Sequence, residues 1–174
     1  SIEGITASLN EIMRNFLCPE KKVQEVDICS VFNSFYTYHA KLRDSITTKL
    51  FIPSNPIMVK ILESDILRIL EIFFTNAIES GTELIDISLQ EEAEKIQFIV
   101  TDYGCGILEC SGCNSSSCMK CNSIKMGKTT KENGIGFGLF FARRIILNYN
   151  GVLYIKSKME QGTTVIVELP RTIN

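Results

Sequence analysis

Histidine is nearly missing from this chain: His39 is the only one. That scarcity excludes most hydrolase chemistry, because neither a Ser/His/Asp nor a Cys/His arrangement can be built without an imidazole. His39 lies on an apolar stripe between Tyr38 and Ala40, neighbours that supply no carboxylate to orient or deprotonate it. It reads as a core or boundary histidine, neither a base nor a phosphoacceptor. Long apolar runs are missing too. Nothing approaches the roughly 20 residues that span a bilayer, and the first residues carry no signal-peptide pattern. A cytoplasmic domain without membrane contact of its own is expected, whatever anchor a full-length protein carries. Clusters of basic residues are also lacking. The 18 Lys and Arg stand against 20 Asp and Glu for a net charge of −2, which argues against a nucleic-acid partner.

What is present suits a single domain with a sizeable core: 174 residues, 45% hydrophobic and 22% charged. Seven cysteines would suggest disulfides in a secreted protein, but five of them fall between Cys105 and Cys121. Such crowding fits a local metal or thiol site better, in a reducing compartment.

Periodicity lays out the elements. Ile5, Leu9, Ile12, Met13 and Phe16 give Ser1 to Phe16 a helical stripe that Pro19 stops. An extended piece at Val23 to Val26 precedes a helix from Ile28 to Leu42. Ile46 to Ile52 alternates weakly as a strand, Pro53 and Pro56 mark a loop, and Ile57 to Val59 is extended again. Ser64 is the expected N-cap of a helix that runs to Ser80 and ends at Gly81. That helix is apolar on most sides, so Asn76 within it would be a buried amide in need of partners. Two hairpins follow, Leu84 to Leu89 with Ile96 to Asp102, and Val152 to Ser157 with Thr163 to Leu169, with a helix from Phe137 to Tyr149 between them. The fold class is α+β: a mixed, mostly antiparallel sheet with helices on one face.

The stretch from Thr101 to Leu139 organises the rest. Asp102-Tyr103-Gly104-Cys105-Gly106-Ile107 follows a strand whose Ile96, Phe98 and Val100 share a face. Gly134-Ile135-Gly136-Phe137-Gly138-Leu139 leads into an apolar helix. Glycines at a helix start admit a ligand to the backbone, where free N–H groups and the positive dipole end favour phosphate. A nucleotide site is expected, and with it Asn76 reads as an amide facing Mg²⁺.

Asn76-Ala77 on a buried helix, Asp102-x-Gly104-x-Gly106-Ile107, Thr129-Thr130-Lys131, Gly134-x-Gly136-x-Gly138-Leu139 and Gly162-Thr163-Thr164 together resemble the catalytic and ATP-binding domain of sensor histidine kinases. The likeness spans roughly Val23 to Pro170, and these boxes in the right order are a specific signal. It implies the Bergerat-type two-layer α/β sandwich shared with gyrase, the Hsp90 chaperone and MutL. Residues 21–174 would be the kinase domain, and residues 1–20 the stump and linker of a dimerisation helix whose acceptor histidine lies upstream.

The resemblance also implies roles. Asp102 would accept a hydrogen bond from the adenine amino group, with Gly104, Gly106 and Ile107 under the base. Asn76 would hold Mg²⁺ against the phosphates. Gly134, Gly136, Gly138 and Leu139 would bind the phosphates at the helix start, and Thr164 would reach the adenine side. Residues 107–133 would form the ATP lid, with Lys128, Thr129, Thr130 and Lys131 at the γ-phosphate; Asn76, Lys128 and Lys131 would carry catalysis. The partners implied are the dimerisation and histidine-phosphotransfer domain of the same full-length protein, and a response regulator.

Three departures stand out. Ile72 occupies the position of a first asparagine in many histidine kinases and of a water-activating glutamate in related ATPases. Glu71 beside it reads as solvated or paired with Arg68. Met126-Gly127-Lys128 stands where a phenylalanine usually precedes Thr-Thr-Lys. Cys110-x-x-Cys113 and Cys118-x-x-Cys121 lengthen the lid and offer four thiolates. A structural zinc site, an iron–sulfur cluster, thiol redox chemistry and free thiols all remain open for them. Rival readings are an ATPase of the same fold, or a degenerate nucleotide-binding module with a metal- or redox-sensing lid.

Overall fold

A computed structural model describes residues 24–42, 45–106 and 138–171. The elements in chain order are β1 (Gln24–Asp27), α1 (Ile28–Leu42), β2 (Thr47–Phe51), β3 (Met58–Ile61), α2 (Glu63–Glu79), β4 (Leu84–Glu91), β5 (Lys95–Asp102), α3 (Gly138–Asn148), β6 (Val152–Lys158) and β7 (Gly162–Pro170). Their order agrees with the periodicity. The predicted helix over Ser1 to Phe16 lies outside the described residues.

The main sheet runs β2-β4-β5-β7-β6. β2 is parallel to β4, and every other pairing in it is antiparallel. β1 and β3 form a separate antiparallel ribbon, with Val26 opposite Val59. Asp27 joins that ribbon to α1. Its Oδ1 accepts the Cys29 and Ile57 amides at 3.1 and 3.2 Å, and its Oδ2 accepts the Ser30 hydroxyl at 2.7 Å. An aspartate just before a helix satisfies amides that the first turn leaves unpaired.

Alternation decides which sheet face is covered. Ile85, Ile87 and Leu89 on β4, Ile96, Phe98 and Val100 on β5, Val165, Val167 and Leu169 on β7, and Leu153 and Ile155 on β6 are all buried. They form one cluster with Phe32 and Phe35 of α1, Ile69, Phe73 and Phe74 of α2, and Ala142 and Ile146 of α3. Phe32 meets Phe98 edge-on at 5.5 Å between centroids, and Phe35 meets Phe74 at 5.6 Å. Each such ring contributes about 1.5–3 kcal/mol by leaving water. The intervening strand residues, such as Ile99, Thr101 and Ile166, stay half-exposed on the other face.

The start of α2 differs from expectation. Ser64 lies inside the helix, and the capping position belongs to Leu62, whose side chain makes no cap bond. Two other features take over. Glu63 and Asp65 place carboxylates in the first turn, where the helix dipole favours negative charge. Tyr149, just past α3, accepts the Leu62 amide at 3.3 Å and donates its hydroxyl to Asp65 Oδ2 at 2.5 Å. Burial first, and then the Asp65 carboxylate, push the Tyr149 phenol up to about 12. At the other end Ser80 caps α2 and Gly81 turns away with φ of 78°. A glycine there avoids the left-handed penalty.

Candidate functional site

The strand register carries Asp102 into the interior. Counting back by twos through Val100, Phe98 and Ile96 puts its carboxylate on the helix-covered face, 6% exposed and the only buried acidic side chain among the described residues. A carboxylate is costly there without donors. Oδ1 accepts the Gly104 amide at 3.0 Å and the Ser80 hydroxyl at 2.9 Å. Both of these bonds fall on the same oxygen, and no ion pair among the described residues includes Asp102.

The turn after β5 is fastened to the turn after α2. The Tyr103 amide donates to Thr82 Oγ1 at 3.1 Å, and the Cys105 amide donates to the Ser80 carbonyl at 3.0 Å. Thr82 is itself buried and donates to the Leu84 carbonyl. Close approach explains the glycines. A Cβ at Gly104 would stand 2.0 Å from Ser80 Oγ, and one at Gly106, where φ is 71°, would stand 2.2 Å from the Lys158 carbonyl oxygen. At the rim, Tyr103 is 53% exposed and gives its hydroxyl to Asp86 Oδ2 at 2.7 Å.

The hydroxyl beside Asp102 is one residue away from the one the boxes suggested. Asp102 pairs with Thr163 across β5 and β7, and Thr163 is buried with Val165 and Val167. Thr164 pairs instead with Thr101 on the half-exposed face, hydroxyl to hydroxyl at 3.2 Å. Directly opposed residues share a face, so Thr163 stands with the carboxylate and Thr164 does not. The signal was available, since stepping back by twos from Leu169 reaches Thr163.

Asn76 lies on α2 one turn before Ser80. Its Nδ2 is buried and has no hydrogen-bond partner among the described residues. The start of α3 abuts it: a Cβ at Gly138 would be 3.9 Å from Asn76 Nδ2 and 3.3 Å from Ile72 Cγ2. The unmet Nδ2 donor beside a helix N-terminus suits a phosphate oxygen, and the oxygen of the same amide is the ligand type that Mg²⁺ takes, so the residues present fit a polyphosphate with Mg²⁺. Ile72 is packed against the core, and Leu139 is also part-buried against it.

His39 is buried, as its apolar stripe predicts, but its partner is one the sequence does not name. Although no neighbour in sequence supplies a carboxylate, Glu71 reaches across from α2 and sets Oε1 2.9 Å from His39 Nε2. The imidazole is 7% exposed, packed against Phe35 at 4.2 Å and Phe74 at 4.7 Å, with Nδ1 buried and without a partner among the described residues. Glu71 is thus held toward α1 by the histidine while its side chain stays half-exposed. The pair spans 32 residues, so neither local sequence predicted the other.

Ile107, Lys128, Thr129, Thr130, Lys131, Gly134 and Gly136 lie outside the described residues, as does the lid. So do Cys110, Cys113, Cys118 and Cys121. Among the described residues no three His, Cys, Asp or Glu side chains gather as a metal centre.

The model of the family described as histidine kinase-, DNA gyrase B-, and HSP90-like ATPase matches residues 61–173. The chain is 26% identical over 155 residues to the sensor histidine kinase YcbM of Bacillus subtilis, covering 88% of this chain and 49% of that protein. It is 31% identical over 122 residues to sporulation kinase D of the same organism, covering 69% of this chain and 22% of that one. The chain thus spans half or less of these two relatives. Among solved structures, the catalytic domain of histidine kinase ThkA superposes with a TM-score of 0.69 at 22% identity, covering 85% of this chain and 95% of that one. The mycobacterial sensor histidine kinase MprB gives 0.68 at 19%, covering 84% and 96%.

Proposed function

The chain belongs to the histidine kinase-, DNA gyrase B-, and HSP90-like ATPase family, as an ATP-binding domain of the sensor histidine kinase type, and we propose that it passes the γ-phosphoryl group of ATP to a histidine outside this chain. The observation that carries the reading is Asp102: a buried carboxylate, held at a strand end by amide and hydroxyl donors and without a cationic partner among the described residues. An acceptor-only group in that setting selects a ligand that donates, such as the exocyclic amino group of adenine. Thr163, opposite it and with Oγ1 2.9 Å from Ser157 Oγ, is proposed to offer its hydroxyl to the same edge of the base.

The amide of Asn76, whose Nδ2 has no partner among the described residues and which is set against the start of α3 at Gly138, supports phosphates over that helix end. Mg²⁺, when bound, would neutralise phosphate charge. Phosphoryl transfer depends more on such positioning than on covalent chemistry by the protein. Lys128, Thr129, Thr130 and Lys131 are proposed to reach the γ-phosphate from the lid over residues 107–133, with Gly134 and Gly136 offering amides. The lid cysteines Cys110, Cys113, Cys118 and Cys121 are proposed as a structural zinc site, which a metal assay on protein purified without chelator would check.

An ATP-hydrolysing role is disfavoured. Ile72 cannot activate water, and Glu71 is engaged by His39. The packing of Ile72 favours a second reading, a nucleotide-binding module with weak catalysis. No helix among the described residues is long and apolar enough to cross a membrane. The proposed partners are the dimerisation and phosphotransfer domain of the same protein and a response regulator, in the cytoplasm.

A titration of the chain with ATP, with and without Mg²⁺, tests the reading, followed by radiolabelled ATP alone and with an added phosphotransfer domain. Magnesium-dependent binding, and label on the added domain only, are expected. Affinity indifferent to Mg²⁺ points to the second reading, and absence of binding overturns both.

A further inference from the structure

Ser80 closes α2 four residues after Asn76, and its side chain turns toward the site. Oγ lies 2.9 Å from Asp102 Oδ1 and 2.7 Å from the Ala77 carbonyl oxygen. The hydroxyl has one hydrogen and two acceptors in reach, and the charged carboxylate is the stronger of them. The Gly104 amide lands on the same Oδ1 at 3.0 Å. The chain is cut away to admit this contact, since a Cβ at Gly104 would stand 2.0 Å from Ser80 Oγ. The Ser80 carbonyl meanwhile takes the Cys105 amide at 3.0 Å, so one residue grips both the carboxylate and the turn that follows it.

We propose, resting on the reading that Asp102 receives the adenine amino group, that Ser80 is a positioning residue for base recognition. By occupying Oδ1 from the end of α2, it turns Oδ2 toward the base and sharpens the preference for a purine bearing an amino group at position six. Two donors on one oxygen fix the plane of the carboxylate. A carboxylate held only by Gly104 would swing about its side-chain torsions and present the second oxygen less well.

The test compares ATP with purine riboside triphosphate, which lacks the six-amino group, in calorimetric titrations of the wild-type chain and of Ser80→Ala and Ser80→Thr. The wild type is expected to prefer ATP by about tenfold, the worth of one hydrogen bond to a charged group. Ser80→Ala should lose most of that preference, with ATP weakened about fivefold to tenfold and the analogue by less than about twofold; Ser80→Thr, which keeps the hydroxyl, should restore it. Equal weakening of both nucleotides, or none, overturns the positioning role while leaving the Asp102 reading in place. A wild type that does not distinguish the two nucleotides removes that reading and this inference together. Should Ser80→Ala fail to fold, Ser80→Cys keeps the size and weakens the donor, and the same selective loss in smaller degree is expected.

Discussion

Asp102 and Thr163 face each other across β5 and β7, both buried on the helix-covered side, while Thr164 hydrogen-bonds Thr101 on the opposite face. Thr163→Val should therefore weaken ATP by about threefold to tenfold, as a neutral hydrogen bond of about 1 kcal/mol implies. Thr164→Val should leave affinity within about twofold. Titration of the two variants side by side decides, and the reverse ranking would mean that the base does not lie on Asp102's face.

Asp102→Asn replaces an acceptor-only group with one that also donates, at the point where an amino group is to be received. Loss of ATP affinity by about a hundredfold, ~2.7 kcal/mol, is expected. Wild-type affinity in this variant would place the nucleotide elsewhere.

For Asn76→Ala the expectation is a split. An amide whose Nδ2 is buried without a partner among the described residues contributes little to the unliganded fold and much to a bound ligand. Thermal unfolding without nucleotide should change by less than about 1 kcal/mol, while the Mg²⁺ dependence of ATP binding disappears. A large fall in unliganded stability with unchanged binding would make Asn76 structural.

Tyr149 links the end of α3 to the start of α2 through Asp65 and the Leu62 amide. Tyr149→Phe should cost about 1–2 kcal/mol, measured by denaturant unfolding. The phenol is pushed up from 10.0 to about 12, so folding favours its neutral form. Its contribution is complete below pH 10.0 and is lost as the pH rises through about 12. The wild type should lose stability over that window by more than the phenylalanine variant does.

His39→Phe tests whether the lone imidazole has any chemical role. Phenylalanine can join Phe35 and Phe74, and the bond lost to the half-exposed Glu71 is worth at most about 1 kcal/mol. Phosphotransfer to an added acceptor domain should continue at the wild-type rate; a collapse of transfer with intact ATP binding would give His39 a part in the reaction.

Period and punctuation made much of this legible. Alternation through Ile96, Phe98 and Val100 located the strand and aimed Asp102 inward, and Gly81 marked the end of α2. What stayed hidden depends on contacts distant in sequence. The start of α2 at Leu62 rather than a Ser64 cap reflects support from Tyr149, 87 residues later. The parallel placement of β2 beside β4, the β1–β3 ribbon and the His39–Glu71 contact likewise come from partners no local pattern names. Thr163 is another matter, because the alternation that identifies it was in plain view and the glycine-threonine box drew attention to the next residue.

Gly162, with φ of 92°, would set a Cβ 2.0 Å from the Asp102 carbonyl oxygen, just as Gly106 would collide with the Lys158 carbonyl. The bend between β6 and β7 and the bend after β5 are thus moulded to one another like a tenon in its mortise, though more than fifty positions separate them along the chain. Grafting either bend from another protein without its counterpart would prise the seat of the carboxylate apart, so recombination between such domains should succeed only where both halves of the joint travel together.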